Sequence, residues 1–460
     1  NYTLAATTVQ GAGTISRREL TLGTVAAQTK TYDGTRAADT AKFSATLTNA
    51  ITGDSVTATA TGATYNSKDV AGANTVNYTG VALGGADAGN YSLAAVAQGT
   101  GTITRRALTF DAVAAQTKIY DGNTNADAAQ FSATLGNIVA GEENSVSATA
   151  AGATYNDKNV AGANKVSYTG VALGGTGAGN YAISNTTEGQ GRITPKQLTL
   201  ALTGGARFDK TYDGTANVTQ TLTKETNYSL TGFIGTEGDH LALAAATGAY
   251  TAGKDAGTDK EVTFKNLTLT GMGAGNYTLD KTALTGIGTI ARRTLTLGEV
   301  TAQTKIYDGT TAADTSKFHA ALNNAVAGDN VTAAAAGATY NDKNVTAANR
   351  IDYTGVALAG ADAGNYSLAA TTAQGAGAIT KRALTASAVG AQTKTYDGTT
   401  AADASQFHAT LNNVVAGEEN LVAATAAGAA YNDKNVTAAN AVSYTGVALT
   451  GTGAGNYSIA

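Results

Sequence analysis

Three histidines, no cysteine and no tryptophan leave this 460-residue chain little material for nucleophilic or zinc chemistry. His319 and His408 stand where Ser44 and Ser132 stand in earlier copies of the same block, and His240 has no counterpart, so these positions read as surface. Carboxylates are better placed. Asp33, Asp121, Asp213, Asp308 and Asp397 each follow a tyrosine and lie three residues after a lysine: Lys30, Lys118, Lys210, Lys305 and Lys394. That spacing suits either a repeated binding element or a turn aspartate beside a solvated lysine, and the turn is the reading adopted. Glu142-Glu143, Glu418-Glu419, Asp54 and Asp329 are candidate ligands for calcium between domains. A calcium loop, however, needs several oxygens at set intervals, and Gly84-Gly-Ala-Asp87 loses its acid in the next copy, where Gly177 takes that place. No cofactor and no enzymatic activity are therefore expected.

Two further features invite a binding role. Tyrosines recur thirteen apart at Tyr65, Tyr78 and Tyr91, a possible stripe for stacking on sugars. Residues separated by whole strands in a chain without tryptophan read instead as its core. Asn90, Asn276, Asn365 and Asn456 each open an Asn-Tyr-Ser or Asn-Tyr-Thr glycosylation pattern, but Ala182 breaks it in the second copy, which favours a Gly-Asn turn.

These residues are positioned by a repeat. Tyr-Asp-Gly occurs five times, at Tyr32, Asp33 and Gly34; Tyr120, Asp121 and Gly122; Tyr212, Asp213 and Gly214; Tyr307, Asp308 and Gly309; and Tyr396, Asp397 and Gly398. Successive copies are 88 to 95 residues apart, too long for a solenoid and suited to a small domain. A closing Gly-Asn-Tyr ends at Tyr91, Tyr181, Tyr277, Tyr366 and Tyr457, which lie 59, 61, 65, 59 and 61 residues after the opening tyrosine. Twenty of the 21 tyrosines fall on these frames if Tyr2 closes an upstream copy; Tyr228 does not. The expected division is 1–17 as the end of a preceding repeat, then repeats at 18–105, 106–194, 195–291, 292–381 and 382–460, the third divergent and the fifth truncated at its last strand. The first and fourth repeats share one ending and the second and fifth another, so a three-repeat cassette has itself been copied.

Composition permits a fold and narrows its partners. Charged residues make up 14% and hydrophobic ones 43%, with a net charge of −4, which argues against disorder and against a basic nucleic-acid-binding face. No apolar run reaches the length of a membrane span. Within a repeat the pattern is mostly strand: Thr14–Leu22 places Ile15 before the apolar pair Leu20 and Leu22, Val56–Tyr65 alternates Thr with Ala, and Thr75–Leu83 carries Val76 and Tyr78 on one face. Val81 and Leu83 fall out of phase with Val76 and Tyr78, which predicts a bulge near Thr79-Gly80. Asp39 to Phe43 and Asp314 to Phe318 fit a strand or one or two helical turns equally well. Between repeats, strand-like residues run through Ile103-Thr-Arg-Arg106 with no Gly/Ser tether, so neighbours should be tightly joined. At roughly 35 Å per repeat, five would make a rod on the order of 170 Å.

The segments Lys30 to Thr35, Tyr78 to Leu83, Gly85 to Tyr91, Ile103 to Thr109 and Asn156 to Val160 resemble the YDG repeat of large bacterial surface proteins. Together with the related MBG repeats, these occur in filamentous-haemagglutinin-like adhesins exported by two-partner secretion or autotransporter routes. The resemblance implies an all-β to β-rich α+β array of five small domains of β-grasp type. It also implies an extracellular or outer-surface location and a structural stalk that projects a distal adhesive domain. Alternatives are a multivalent array for exopolysaccharide or host glycan, and a self-associating filament of a biofilm matrix. The expected partners are neighbouring repeats, with exopolysaccharide or identical chains beyond them.

Overall fold

The computed structural model describes residues 2, 3, 5 and 7–460. They form two compact units. One runs up to Thr199 and adds Thr231–Ala242 and Leu269–Asp280; the other comprises Leu200–Leu230, Leu243–Thr268 and Lys281–Ala460.

The first repeat shows the plan. Its strands are β1 (Arg18–Glu19), β2 (Thr21–Val25), β3 (Gln28–Thr31), β4 (Ala45–Thr48), β5 (Thr57–Thr59), β6 (Gly62–Tyr65), β7 (Thr75–Thr79), β8 (Ala82–Gly84), β9 (Tyr91–Ser92) and β10 (Val96–Thr104). Four of them make a sheet in the order β3-β10-β7-β6. The long strand β10 pairs antiparallel with β7 through its first half and parallel with β3 through its second. Smaller pairings complete the repeat: β2 antiparallel with β4, β1 parallel with β9, and β5 antiparallel with β8. Four-stranded sheets of the same order recur in the second, third and fourth repeats. Among the described residues the only helical segments are 3-10 turns of three or four residues, so the all-β form of the expected fold applies and no helix crosses the sheet. Asp39 caps one such turn, Thr40–Lys42, by accepting the Ala41 N–H at 2.9 Å, and Asp314 caps Thr315–Lys317 in the same way.

The bulge expected at Thr79-Gly80 is instead a corner. Strand β7 ends at Thr79, and β8, which starts at Ala82, pairs with β5 rather than with the partners of β7. An extra residue in one continuous strand would leave backbone groups unpaired; changing partners keeps them paired and still buries Val81. Gly80 makes the corner at φ +62, where an ideal Cβ would stand 2.0 Å from Thr61 Oγ1. The third repeat places Asn266 there at φ +55, a conformation asparagine tolerates.

The tyrosines at thirteen-residue spacing are core. Tyr65, Tyr78 and Tyr91 are all buried, and the Phe43 ring lies 4.7 Å from that of Tyr78, a pairing repeated by Phe131–Tyr168, Phe318–Tyr353 and Phe407–Tyr444. Buried Gln28 locks the centre: its amide donates to the Tyr78 hydroxyl and the Asp39 carbonyl, and its carbonyl accepts the Asp39 N–H. In the third repeat the glutamine is Phe208 and the tyrosine Phe264, with rings 4.7 Å apart. Replacing both partners of a buried hydrogen bond with apolar groups leaves neither unsatisfied, so the divergent repeat keeps its core. Tyr228, which the repeat frame does not place, is buried there and accepts the Leu243 N–H at 2.8 Å.

Successive repeats are separated by single residues. Arg105 alone divides β10 from the strand Arg106–Ala107, and Pro195, Arg292 and Lys381 do the same at the later boundaries. The strand expected from Thr14 begins only at Arg18, and Ile15 is fully exposed where its counterpart Ile103 is buried. Ile103 is covered because β10 pairs with β3 of its own repeat; among the described residues no strand pairs with the segment that holds Ile15. Of the expected closing segment 1–17, residues 1, 4 and 6 lie outside the described residues, and the others form no strand.

Candidate functional site: the joint between repeats

At each of the four repeat boundaries the opening tyrosine of one repeat meets the closing tyrosine of the next over one shared carboxylate. Tyr32 donates its hydroxyl to Glu142 Oε1 at 2.7 Å, and Tyr181 donates to Glu142 Oε2 at 2.7 Å. Tyr120 and Tyr277 address Glu237 at 2.7 and 2.5 Å, Tyr212 and Tyr366 address Asp329 at 2.8 and 2.6 Å, and Tyr307 and Tyr457 address Glu418 at 2.7 Å each. In every case the two rings meet edge to face with centroids 5.3 to 5.4 Å apart. That arrangement sets the positive edge of one ring against the negative face of the other and brings both hydroxyls to one point.

Two further contacts surround every bridge, and a third, from a lysine, accompanies three of the four. The closing asparagine reaches back into the preceding repeat: Asn180 accepts the Val70 N–H at 2.8 Å and donates to Asp69 at 2.9 Å. Asn276, Asn365 and Asn456 repeat this with Val160, Ala256 and Val345, so these three are buried joint residues rather than surface glycan acceptors. Lys68, Lys254 and Lys343 lie 3.8, 3.2 and 3.4 Å from the carboxylates of Glu142, Asp329 and Glu418. The glycine of each triplet receives an apolar side chain of the next repeat. Gly34 holds φ +77, and a Cβ there would stand 2.9 Å from Val139 Cγ1; Gly122, Gly214 and Gly309 face Ile234, Val326 and Val415.

The triplet aspartates do not enter the joint. Asp33 Oδ1 accepts Lys30 Nζ at 2.6 Å and both the N–H and the hydroxyl of Thr35 at 2.9 Å, which closes the turn on itself. Lys30 is not the solvated lysine expected. Its side chain is 17% exposed, bonded to the Thr35 carbonyl and 5.3 Å above the Tyr65 ring, because the turn wraps carbonyls around the ammonium. The other four lysines make the same contacts with Asp121, Asp213, Asp308 and Asp397. Burial pushes the Asp33 carboxyl up, but the Lys30 and Thr35 donors more than offset it and hold the group below its ordinary value.

Of the candidate calcium ligands, Glu142 and Glu418 spend both oxygens on tyrosine hydroxyls, Asp329 gives Oδ2 to two tyrosines and Oδ1 to Lys254, and Asp54 accepts from Tyr91 at 2.5 Å. Glu143 and Glu419 bond the N–H groups of Gly141 and Gly417. No group of three or more acidic or histidine side chains suited to a metal occurs among the described residues. His240, His319 and His408 are exposed. Glu237 was not singled out from sequence, although a signal exists: each closing tyrosine has an acid 37 to 40 residues before it.

The pattern that defines the YDG domain matches residues 16–99, 104–188, 194–284, 291–373 and 380–460. The chain belongs to the YDG domain family. None of the curated proteins matches it. Among solved structures, the protocadherin GammaB4 extracellular domain aligns at 10% identity over 95% of this chain and 81% of its own, with a TM-score of 0.20. Sidekick-1 immunoglobulin domains 1–5 align at 6% over 78% and 80%, with a TM-score of 0.21, and surface layer protein SbsC domains 4–9 at 10% over 95% and 78%, with 0.17. Likeness at that level carries no argument about the YDG repeats. No helix among their described residues is long and apolar enough to cross a membrane.

The YDG joint should respond to pH at both extremes. Burial pushes Glu142 and Glu418 up, but their two tyrosine donors outweigh it; Asp329 is lowered first by Tyr366. All three carboxyls therefore sit below their ordinary values. Burial, then the bond to the carboxylate, pushes Tyr277, Tyr366 and Tyr457 up to about 12. A depressed carboxyl contributes stability that is complete above its unfolded value and lost as pH falls through the folded one. A raised phenol contributes stability that is complete below 10 and lost as pH rises to about 12. Protection against hydrogen exchange, relative to the intrinsic rate at each pH, should be greatest between those limits at the Val139, Val326 and Val415 amides, which bond the closing tyrosines, and fall on both sides. A flat profile into acid would rule out the carboxylate as the centre of the joint.

Proposed function

We propose that these YDG repeats are a structural stalk segment of a secreted or cell-surface bacterial adhesin, holding a distal adhesive domain away from the cell. The supporting observation is the joint: the same tyrosine–carboxylate–tyrosine bridge closes all four repeat boundaries, and one residue separates the strands on either side. Bending at such a boundary breaks two charge-assisted hydrogen bonds, each worth about 1.5–3 kcal/mol, and exposes two aromatic rings. The role is mechanical, and repetition extends reach without a new fold for each increment. Small, weakly charged side chains along the shaft limit nonspecific attachment.

Small-angle scattering of the full chain tests this reading. The expected result is an elongated particle on the order of 170 Å long, counting about 3.4 Å per strand residue along each repeat. A compact globule would overturn it. Binding on a glycan array that grows with repeat number would favour the multivalent array instead.

A further inference from the structure

Each joint is built on an Asp-Gly step whose glycine cannot be exchanged. Gly34, Gly122, Gly214 and Gly309 hold φ between +77 and +81, and a Cβ on each would stand 2.8 to 3.0 Å from a Val or Ile of the next repeat. Asp-Gly is also the dipeptide most open to rearrangement, because glycine has no Cβ to shield its nitrogen. That nitrogen attacks the aspartate Cγ; an N–Cγ bond forms, the carboxyl hydroxyl leaves with the nitrogen's proton as water, and a cyclic imide results. Water then opens the ring at the main-chain carbonyl, so that the backbone runs on through the β-carboxyl and is one methylene longer. Only a neutral carboxyl has the hydroxyl to expel.

The aspartate of each step is clamped. Asp308 Oδ1 accepts Lys305 Nζ at 2.8 Å, the Thr310 N–H at 3.0 Å and the Thr310 hydroxyl at 2.9 Å. Asp33 and Asp213 have the same three donors. In the second repeat Asn123 takes the threonine's place, and Asp121 keeps the lysine and the N–H. The lysine is itself fixed: Lys305 also donates to the Thr310 and Ala312 carbonyls at 2.9 Å, and its ammonium lies 5.3 Å from the centre of the Tyr340 ring. Burial pushes the Asp308 carboxyl up, but Lys305 and Thr310 outweigh it and hold the group below its ordinary value. We infer that the clamp guards each Asp-Gly bond against imide formation, and that Asp33, Asp121, Asp213 and Asp308 are latent isoaspartate sites that react when it opens. An anion tied to these donors has no hydroxyl to expel, and its Cγ is not free to swing onto the glycine nitrogen. The damage would fall on the joint. Tyr307 immediately precedes Asp308, so an added methylene would shift Gly309 against Val415 and pull on the 2.7 Å bond from Tyr307 to Glu418.

Lys305→Met removes the ammonium and keeps an apolar stem beside the Tyr340 ring. The full parent chain and the variant are aged in neutral buffer, and a peptide map scores each site, since an isoaspartyl peptide separates from its aspartyl form at equal mass. Asp308 should convert about tenfold faster in the variant, the gain in neutral carboxyl for a rise of one pKa unit. Asp33, Asp121 and Asp213 should keep the parent's rates and serve as internal standards. An unchanged rate at Asp308 would overturn the inference, and so would a native parent whose Asp-Gly sites convert as fast as they do in guanidinium chloride, where no clamp exists. Thr310→Val decides the matter if Lys305→Met unfolds its repeat. Thr310 is exposed, and the variant keeps the lysine and the N–H while losing the hydroxyl donor, so Asp308 should quicken by a smaller factor. No change in that variant would equally overturn the inference.

Discussion

Glu418→Ala is expected to open the boundary between the fourth and fifth repeats at a cost of about 3–5 kcal/mol, counting two lost charge-assisted bonds and two stranded phenols. Tyr307 and Tyr457 are each 1% exposed, so neither hydroxyl can turn to water when the carboxylate is removed. Lys343, 3.4 Å from the same carboxylate, loses its counter-charge as well. Glu418→Gln keeps one acceptor and sets an amide N–H₂ against the other phenol, so a smaller loss, about 1–2 kcal/mol, is expected. Glu142→Ala should fall between these, because the Glu142 side chain is 19% exposed against 10% for Glu418 and water can replace part of what is lost. An array of repeats does not unfold in one step, so the appropriate readout is local: exchange at the Val415 amide, which donates to the Tyr457 hydroxyl. If Glu418→Ala leaves that amide as protected as in the parent, the carboxylate is not what holds the boundary.

The second large effect lies inside a repeat. Gly360 has φ +107, and an ideal Cβ would fall 2.4 Å from the carbonyl oxygen of Asn330. A side-chain obstacle could rotate away, but this one is backbone, and it is fixed from both sides: Asn330 accepts the Asp362 N–H at 3.1 Å and donates its own N–H to Asp362 Oδ2 at 2.8 Å. Gly360→Ala combines left-handed strain with that clash, for an expected loss of about 3–5 kcal/mol. The same collision recurs at Gly85, Gly175, Gly271 and Gly451, with gaps of 2.2, 2.3, 1.9 and 2.4 Å. Asn330 follows Asp329, so the substitution should also loosen the Tyr212–Tyr366 bridge, seen as faster exchange at Val326. Gly364→Ala is the control: nothing lies within 4 Å of its Cβ position. Equal urea midpoints for the two variants would refute the argument.

Much of this architecture is legible in the residues alone. Fixed tyrosine intervals mark the repeats, the alternation around Val76 and Tyr78 marks the central strand, and unbroken strand pattern through Ile103-Thr-Arg-Arg106 marks the absence of a tether. What escapes is long-range. Tyr32 and Glu142 are 110 residues apart, and nothing local distinguishes an acid that receives two phenols from one in a solvated turn. Asp54, Glu142, Asp329 and Glu418 are legible as carboxylates, but that each accepts a tyrosine hydroxyl is not. Lys30 looked solvated because charge dominates the reading of a lysine, whereas its stem and ammonium are enclosed by its own turn. The corner at Gly80 was detected as a phase slip, but a slip cannot say whether the strand continues or changes partner.

The parallel pairing of β3 with β10 has a mechanical corollary. The chain reaches β3 through β1 and β2 and leaves the repeat from the far end of β10, so once β1 and β2 have given way tension along the protein pulls these neighbours in opposite directions along their length. The four residue pairs from Gln28↔Gly101 to Thr31↔Thr104 are then loaded together in shear rather than unzipped one after another. A repeat built this way resists pulling by the summed strength of a row of bonds, and it yields, when it does, all at once.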